Sequence, residues 1–152
     1  MRPSPLIGSV TNMKNPLKIS RTGPSLAHRA SRLLFTLART PLGGRIARRW
    51  FGSLSRWLPV QRVYATDRLL AFYHPRPSYP VHILIVPKAD IASLEALRGH
   101  EAALYADLVR AVQTIVGQLG LAERGYRLII NGGAYQDVPL LHAHLISETE
   151  LP

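Results

Sequence analysis

The run Val81-His82-Ile83-Leu84-Ile85-Val86 is apolar at all but one position. The strand it predicts cannot turn a face to water, so it belongs in the interior of a sheet with cover on both sides. Before it, His74-Pro75-Arg76-Pro77-Ser78-Tyr79-Pro80 reads as an irregular connector, because three prolines have no place inside a backbone ladder. Pro87-Lys88 ends the strand. Upstream, Val63-Tyr64 and Leu69 to Tyr73 flank the polar Thr66-Asp67-Arg68 and read as a hairpin. Downstream, Leu104, Leu108, Val112, Ile115 and Leu119 recur at helical spacing, with Gly120 as the stop, and predict a helix of about five turns. Tyr126 to Ile130 is a further strand, Asn131-Gly132-Gly133 turns the chain, and Leu140 to Ile146 is expected to form the last strand. Three strands, a long helix and two more strands imply an α+β fold: an antiparallel sheet with one long helix on one face.

The 152 residues and formal net charge of +10 fit one compact domain with an extension. A hydrophobic fraction of 47% excludes a fully disordered chain, and the absence of cysteine excludes disulfides, thiolate zinc sites and cysteine nucleophiles. Charge divides the chain. Residues 1–66 hold twelve Lys/Arg and no Asp or Glu, whereas residues 67–152 hold seven Lys/Arg against nine Asp/Glu. The expected organisation is a disordered tail over 1–25 (with Met13 an alternative start), a basic amphipathic helical leader over 26–59 and a domain over 60–152.

In the leader, Leu26, Ala30, Leu33, Leu34 and Leu37 form one apolar stripe, and Leu42, Ile46, Trp50, Leu54, Trp57 and Leu58 form a second, each opposite arginines. Neither reaches the roughly 20 apolar residues of a membrane span. Three readings stay open: the stripes pack on the domain, residues 26–58 dock on an anionic membrane surface, or the segment directs organellar import. The expected location is cytoplasmic, with peripheral membrane attachment and import as alternatives. No nucleic-acid reading motif is present, so nucleic acid is not an expected partner.

Six histidines carry the chemistry. His28 and His100 read as solvent-facing. His142 and His144 alternate on the predicted last strand, so they share a face with Leu140 and Ile146, while Leu141, Ala143 and Leu145 turn to the core. Alone, such a pair fits a hydrogen-bonded structural couple, or a metal site with His82 as third ligand. No carboxylate stands at a spacing that would orient such ligands, so no metal is assigned.

Taken together, Val86-Pro87-Lys88, Gly125 to Gly133, and Gln136-Asp137-Val138-Pro139 running into Leu141-His142-Ala143-His144-Leu145-Ile146 resemble the histidine triad (HIT) family over roughly residues 62–147. The resemblance implies a domain, commonly a homodimer, that binds a nucleotide and attacks its α-phosphorus through histidine without a cofactor. It makes His142 the nucleophile and sets His144 against the phosphate or leaving group. Asn131, Gln136, Asp137 and Val138 fall where the family contacts phosphate and sugar. His82 matches a histidine behind the site, and Phe72 lies on the strand beside the base. The chemistry is coherent, since neutral imidazole is nucleophilic near pH 7 and a nucleotidyl-histidine divides one hard displacement into two easier ones. His144, Asn131 and the amides of Gly132-Gly133 are candidate donors to the developing charge.

Three positions depart from the family pattern. The first triad position is Leu140, which keeps a carbonyl to orient the nucleophile but lacks a proton partner, a loss typically worth about 10²–10⁴-fold. His74 stands in the connector where the family often carries an acid for the ribose hydroxyls, which alters nucleotide preference. Asp137 places a charge near a phosphate. The expected activity is a HIT-type hydrolase or nucleotidyl transferase acting on a nucleoside phosphoramidate or phosphoanhydride. The alternatives are an attenuated nucleotide-binding module, or a peripheral membrane- or RNA-docking protein acting through the leader.

Overall fold

A computed structural model of the chain describes residues 40, 60–97 and 101–150. The tail expected over 1–25, the helices expected over 26–59 (Thr40 apart), and His28 and His100 lie outside the described residues.

Thr66 makes the first reversal. Its hydroxyl accepts the N–H groups of Arg68 at 3.2 Å and Leu69 at 3.0 Å, the local side-chain bonding that favours a turn over a continued strand. The turn joins β1 (Arg62–Ala65) to β2 (Leu69–Tyr73) as the expected hairpin. β3 (Val81–Pro87) follows the proline-rich connector. α1 (Ala102–Gln118) and the short α2 (Leu121–Arg124) precede β4 (Arg127–Ile130) and β5 (Ala143–Ser147). Gly120, at φ +61°, takes the left-handed conformation that ends α1. The sheet order is β1-β2-β3-β5-β4 with every pair antiparallel, so the fold is the α+β arrangement the sequence predicts.

β3 is central and buried at all seven positions. Alternation sends Val81, Ile83 and Ile85 to one face, where they pack with Leu69, Ala71, Ala143 and Leu145 against Leu104, Ala111, Ile115 and Leu121 of the helices. No helix among the described residues covers the other face. There Leu84 and Val86 join Leu70 and Phe72 beneath Val138 and Leu140 from the loop before β5. Burying each such aliphatic side chain contributes on the order of 1.5–3 kcal/mol, so the loop that carries the site residues is anchored by its own apolar members. α1 is tied to the hairpin as well: the buried Asp107 carboxylate accepts from Arg68 at 3.3 Å, Arg110 at 3.1 Å and the Thr66 hydroxyl at 3.4 Å.

The last strand begins at Ala143, not at Leu140 as the apolar run suggests. The backbone explains the difference. Leu140 N–H donates to Val138 O at 2.7 Å and Leu141 N–H to Ile91 O at 2.8 Å, so both donors are spent on loop contacts. Pairing with β3 accordingly stops at the Ile85–Ala143 couple. His142 therefore lies just outside the ladder, and strand alternation does not fix its direction.

Candidate active site

Four imidazoles meet on the sheet face away from α1. His82 on β3 and His144 on β5 are diagonal neighbours, since Leu84 is the residue directly opposite His144. Their rings lie 5.2 Å apart between centroids, within the reach expected of diagonal cross-strand pairs. His142 meets His144 edge-on at 4.8 Å. His74, from the connector, stacks on His82 at 4.2 Å with the planes only 14° apart.

Main-chain donors dictate which nitrogen of each ring carries the proton. Ser78 N–H donates to His82 Nδ1 at 3.2 Å. An amide N–H cannot accept, so neutral His82 holds its proton on Nε2. That nitrogen lies 2.9 Å from His144 Nδ1, which must then be the acceptor. His144 in turn carries its proton on Nε2, a buried atom with no hydrogen-bond partner among the described residues. A buried donor left open in this way is unfavourable until something accepts from it. By the same logic Arg76 N–H, 3.0 Å from His74 Nδ1, assigns the His74 proton to Nε2.

His142 is set differently. Its Nδ1 is 2.7 Å from the Leu140 carbonyl, which can only accept. The proton is on Nδ1 and the lone pair on Nε2 is available. The site thus pairs one imidazole presenting a lone pair with another presenting an N–H.

The electrostatics hold His82, His144 and His74 toward the neutral form. Burial, reinforced by the charges of His74 and His144, lowers His82 to about 4. Burial, then His142 and His74, lowers His144 to about 4 against a smaller opposing pull from Asp137. His74 is lowered too, first by burial and also by the His142 and Arg76 charges, against the hydrogen bond from Arg76 N–H.

The loop between β4 and β5 carries the remaining predicted residues. Asn131 is half-buried at the end of β4 and Asp137 is exposed. The Gln136 amide donates to Ala92 O at 2.6 Å and Val138 O at 2.9 Å, so it braces the loop. Phe72 and Val138 are buried in the apolar cluster with Leu140, on the same face as His82 and His144. Gly133 sits at φ +55° and opens the short 3-10 turn Gly133–Tyr135, whose Tyr135 is 83% exposed. Sequence reasoning missed Ser78, whose main-chain N–H sets the tautomers of two rings, and Tyr79, edge-on to His82 at 5.7 Å. Neither residue type nor spacing marks them. An apolar cavity of about 30 Å³ between α1 and the sheet, lined by Leu69, Ile85, Leu104 and Leu108 among others, lies on the opposite face and is not part of this site.

The chain and its fold have counterparts among known proteins. Residues 56–151 match the HIT domain family. A curated HIT-like protein of Synechococcus elongatus is 41% identical over 104 residues, covering 66% of this chain and 90% of its own. One from Azospirillum brasilense is 38% identical over 98 residues, covering 62% and 80%. Among solved structures, a histidine triad protein from Clostridium difficile superposes with a TM-score of 0.61 at 32% identity, covering 67% of this chain and 91% of its own. A HIT family hydrolase from Legionella pneumophila gives 0.61 at 30% identity, covering 66% and 92%. The chain belongs to the HIT domain family.

Proposed function

We propose that the chain is a HIT-type nucleotide hydrolase or nucleotidyl transferase that cleaves a nucleoside phosphoramidate or phosphoanhydride through a nucleotidyl-histidine on His142. One observation carries the reading: the bond between His142 Nδ1 and the Leu140 carbonyl, which leaves Nε2 as a fixed nucleophile. In the first step Nε2 forms a bond to the α-phosphorus, the bond from phosphorus to the leaving nitrogen or oxygen breaks, and the leaving group takes a proton from solvent. In the second, water attacks the same phosphorus and gives up a proton to solvent, the P–N bond to His142 breaks, and neutral imidazole returns with release of a nucleoside monophosphate; in transfer an acceptor hydroxyl replaces water. The Nε2–H of His144 supplies a donor to the phosphate oxygens, and its burial strengthens that interaction. The hydrolase named in Legionella pneumophila, similar in fold, adds support.

The test is turnover of a panel of nucleoside 5′-phosphoramidates and dinucleoside polyphosphates by the full-length protein. Turnover that disappears in His142→Ala is expected; unchanged turnover in that variant ends the proposal. The second reading, a nucleotide-binding module with attenuated catalysis, is favoured by Leu140 and predicts binding without measurable turnover.

The proposed active form is a homodimer. β4 is a sheet edge with Tyr126 and Leu128 exposed nearby, and α1 exposes Tyr105 and Val109 one turn apart. Such an edge and apolar stripe suit a second copy. Light scattering should give twice the chain mass, and Val109→Arg should lower it; a monomer at all concentrations would remove this part.

A further inference from the structure

We propose that Gln136 is a positioning residue for His142: its amide clamps the loop before β5 to the connector after β3, and so fixes the carbonyl that aims the nucleophile. The inference rests on the nucleotidyl-histidine reading above and deepens it, by giving Gln136 a role in the rate of attack in place of a contact to phosphate or sugar.

The peptide between Leu140 and Leu141 is the controlling element. Its carbonyl, on Leu140, lies 2.7 Å from His142 Nδ1. Its N–H, on Leu141, donates to Ile91 O at 2.8 Å. A planar trans peptide points these two groups in opposite directions, so the bond to Ile91 sets the direction of the Leu140 carbonyl. Leu140 is held on its other side as well. Its N–H donates to Val138 O at 2.7 Å across Pro139, a three-residue turn that suits the fixed φ of proline.

Gln136 joins these two restraints. Its Nε2 donates to Ala92 O at 2.6 Å, one residue beyond the carbonyl that holds Leu141, and to Val138 O at 2.9 Å, the carbonyl that holds Leu140. Both acceptors are carbonyl oxygens, so the orientation of the amide is fixed and its two N–H donors are spent. A phosphate oxygen could be served by this amide only by displacing one of those bonds. The connector is a firm anchor, because Ile91 packs against the buried cluster between α1 and the sheet and its N–H donates to Ala89 O at 3.0 Å. The leverage on catalysis is large: a nucleophile misplaced by about 1 Å can lose on the order of 10²-fold in rate.

The experiment is nitrogen-15 NMR of histidine-labelled full-length protein, with steady-state kinetics on a nucleoside 5′-phosphoramidate, for the wild type, Gln136→Met and Gln136→Glu. Both variants keep the length of the side chain, neither can donate to the two carbonyls at neutral pH, and the second serves should the first not fold. His142 should be in the Nδ1–H form alone in the wild type and in a mixture with the Nε2–H form in the variants. The kcat should fall about 10²-fold with KM little changed. A His142 tautomer unaltered in the variants overturns the inference. So does a raised KM at constant kcat, which would make Gln136 a contact to substrate. The tautomer is read without turnover, so a wild type devoid of activity would end the nucleotidyl-histidine reading while the positioning of His142 is still decided by the spectra.

Discussion

The Leu140 carbonyl oxygen lies 2.7 Å from His142 Nδ1, so a residue with no imidazole of its own orients the ring two residues on. The contact belongs to the backbone and is indifferent to the side chain. That side chain is 6% exposed and packs with Leu70, Phe72, Leu84, Val86 and Val138. The leucine thus anchors the site loop by burial and aims the His142 ring by its carbonyl.

Leu140→His should therefore cost stability and change the rate little. Placing an imidazole among these aliphatic side chains should lower the unfolding free energy by about 1–3 kcal/mol in denaturant titration, while kcat/KM stays within about tenfold. A gain of 10² or more would show that the missing proton partner limits the native site.

His82→Phe keeps the stack with His74 but removes the His82 Nε2–H that donates to His144 Nδ1. Nitrogen-15 NMR of histidine-labelled protein should report the Nε2–H form of His144 in the wild type and a mixture of tautomers in the variant. Turnover should fall about 10²-fold. An unchanged His144 tautomer would refute the relay from Ser78.

The folded chain should lose stability on mild acidification. His82 and His144 are lowered to about 4 from an ordinary 6.5. Between those values the unfolded chain binds protons that the folded chain refuses, so stability is complete above pH 6.5 and declines as pH falls toward 4. Urea titrations from pH 7.5 to 4 should show the decline, and His82→Phe should flatten it. A flat wild-type profile would contradict the burial argument.

The paired glycines of the site loop should differ. Gly133 has φ +55°, so Gly133→Ala should destabilise by about 1 kcal/mol. Gly132 is extended, and a Cβ there would approach only the Glu95 carboxylate, at 2.9 Å. Glu95 is exposed and can swing away, so Gly132→Ala should fall within about 0.5 kcal/mol of wild type. Denaturant midpoints decide, and equal losses would contradict the backbone reading.

The sheet was legible because its patterns are local. The near-continuous apolar run of β3, the Thr66 turn and the apolar stripe along α1 each follow from residue type and spacing. The start of β5 was not, because the departure of Leu140 and Leu141 from the ladder depends on Val138 O and on Ile91 O, the latter distant in sequence. The His142/His144 pair could be read as a pair. What assigns their opposite roles is a carbonyl on one side and, on the other, an amide acting through His82, and main-chain groups of that kind leave no trace in residue identity. The bracing role of Gln136 was hidden for the same reason: its acceptors are carbonyls, one of them on Ala92.

The most direct test is mass spectrometry of full-length protein quenched during turnover of a nucleoside 5′-phosphoramidate. The account predicts a covalent adduct of one nucleoside monophosphate mapping to His142, slower to form in His144→Ala and absent in His142→Ala. Turnover with no adduct at any quench time, or an adduct mapping to another residue, would contradict it.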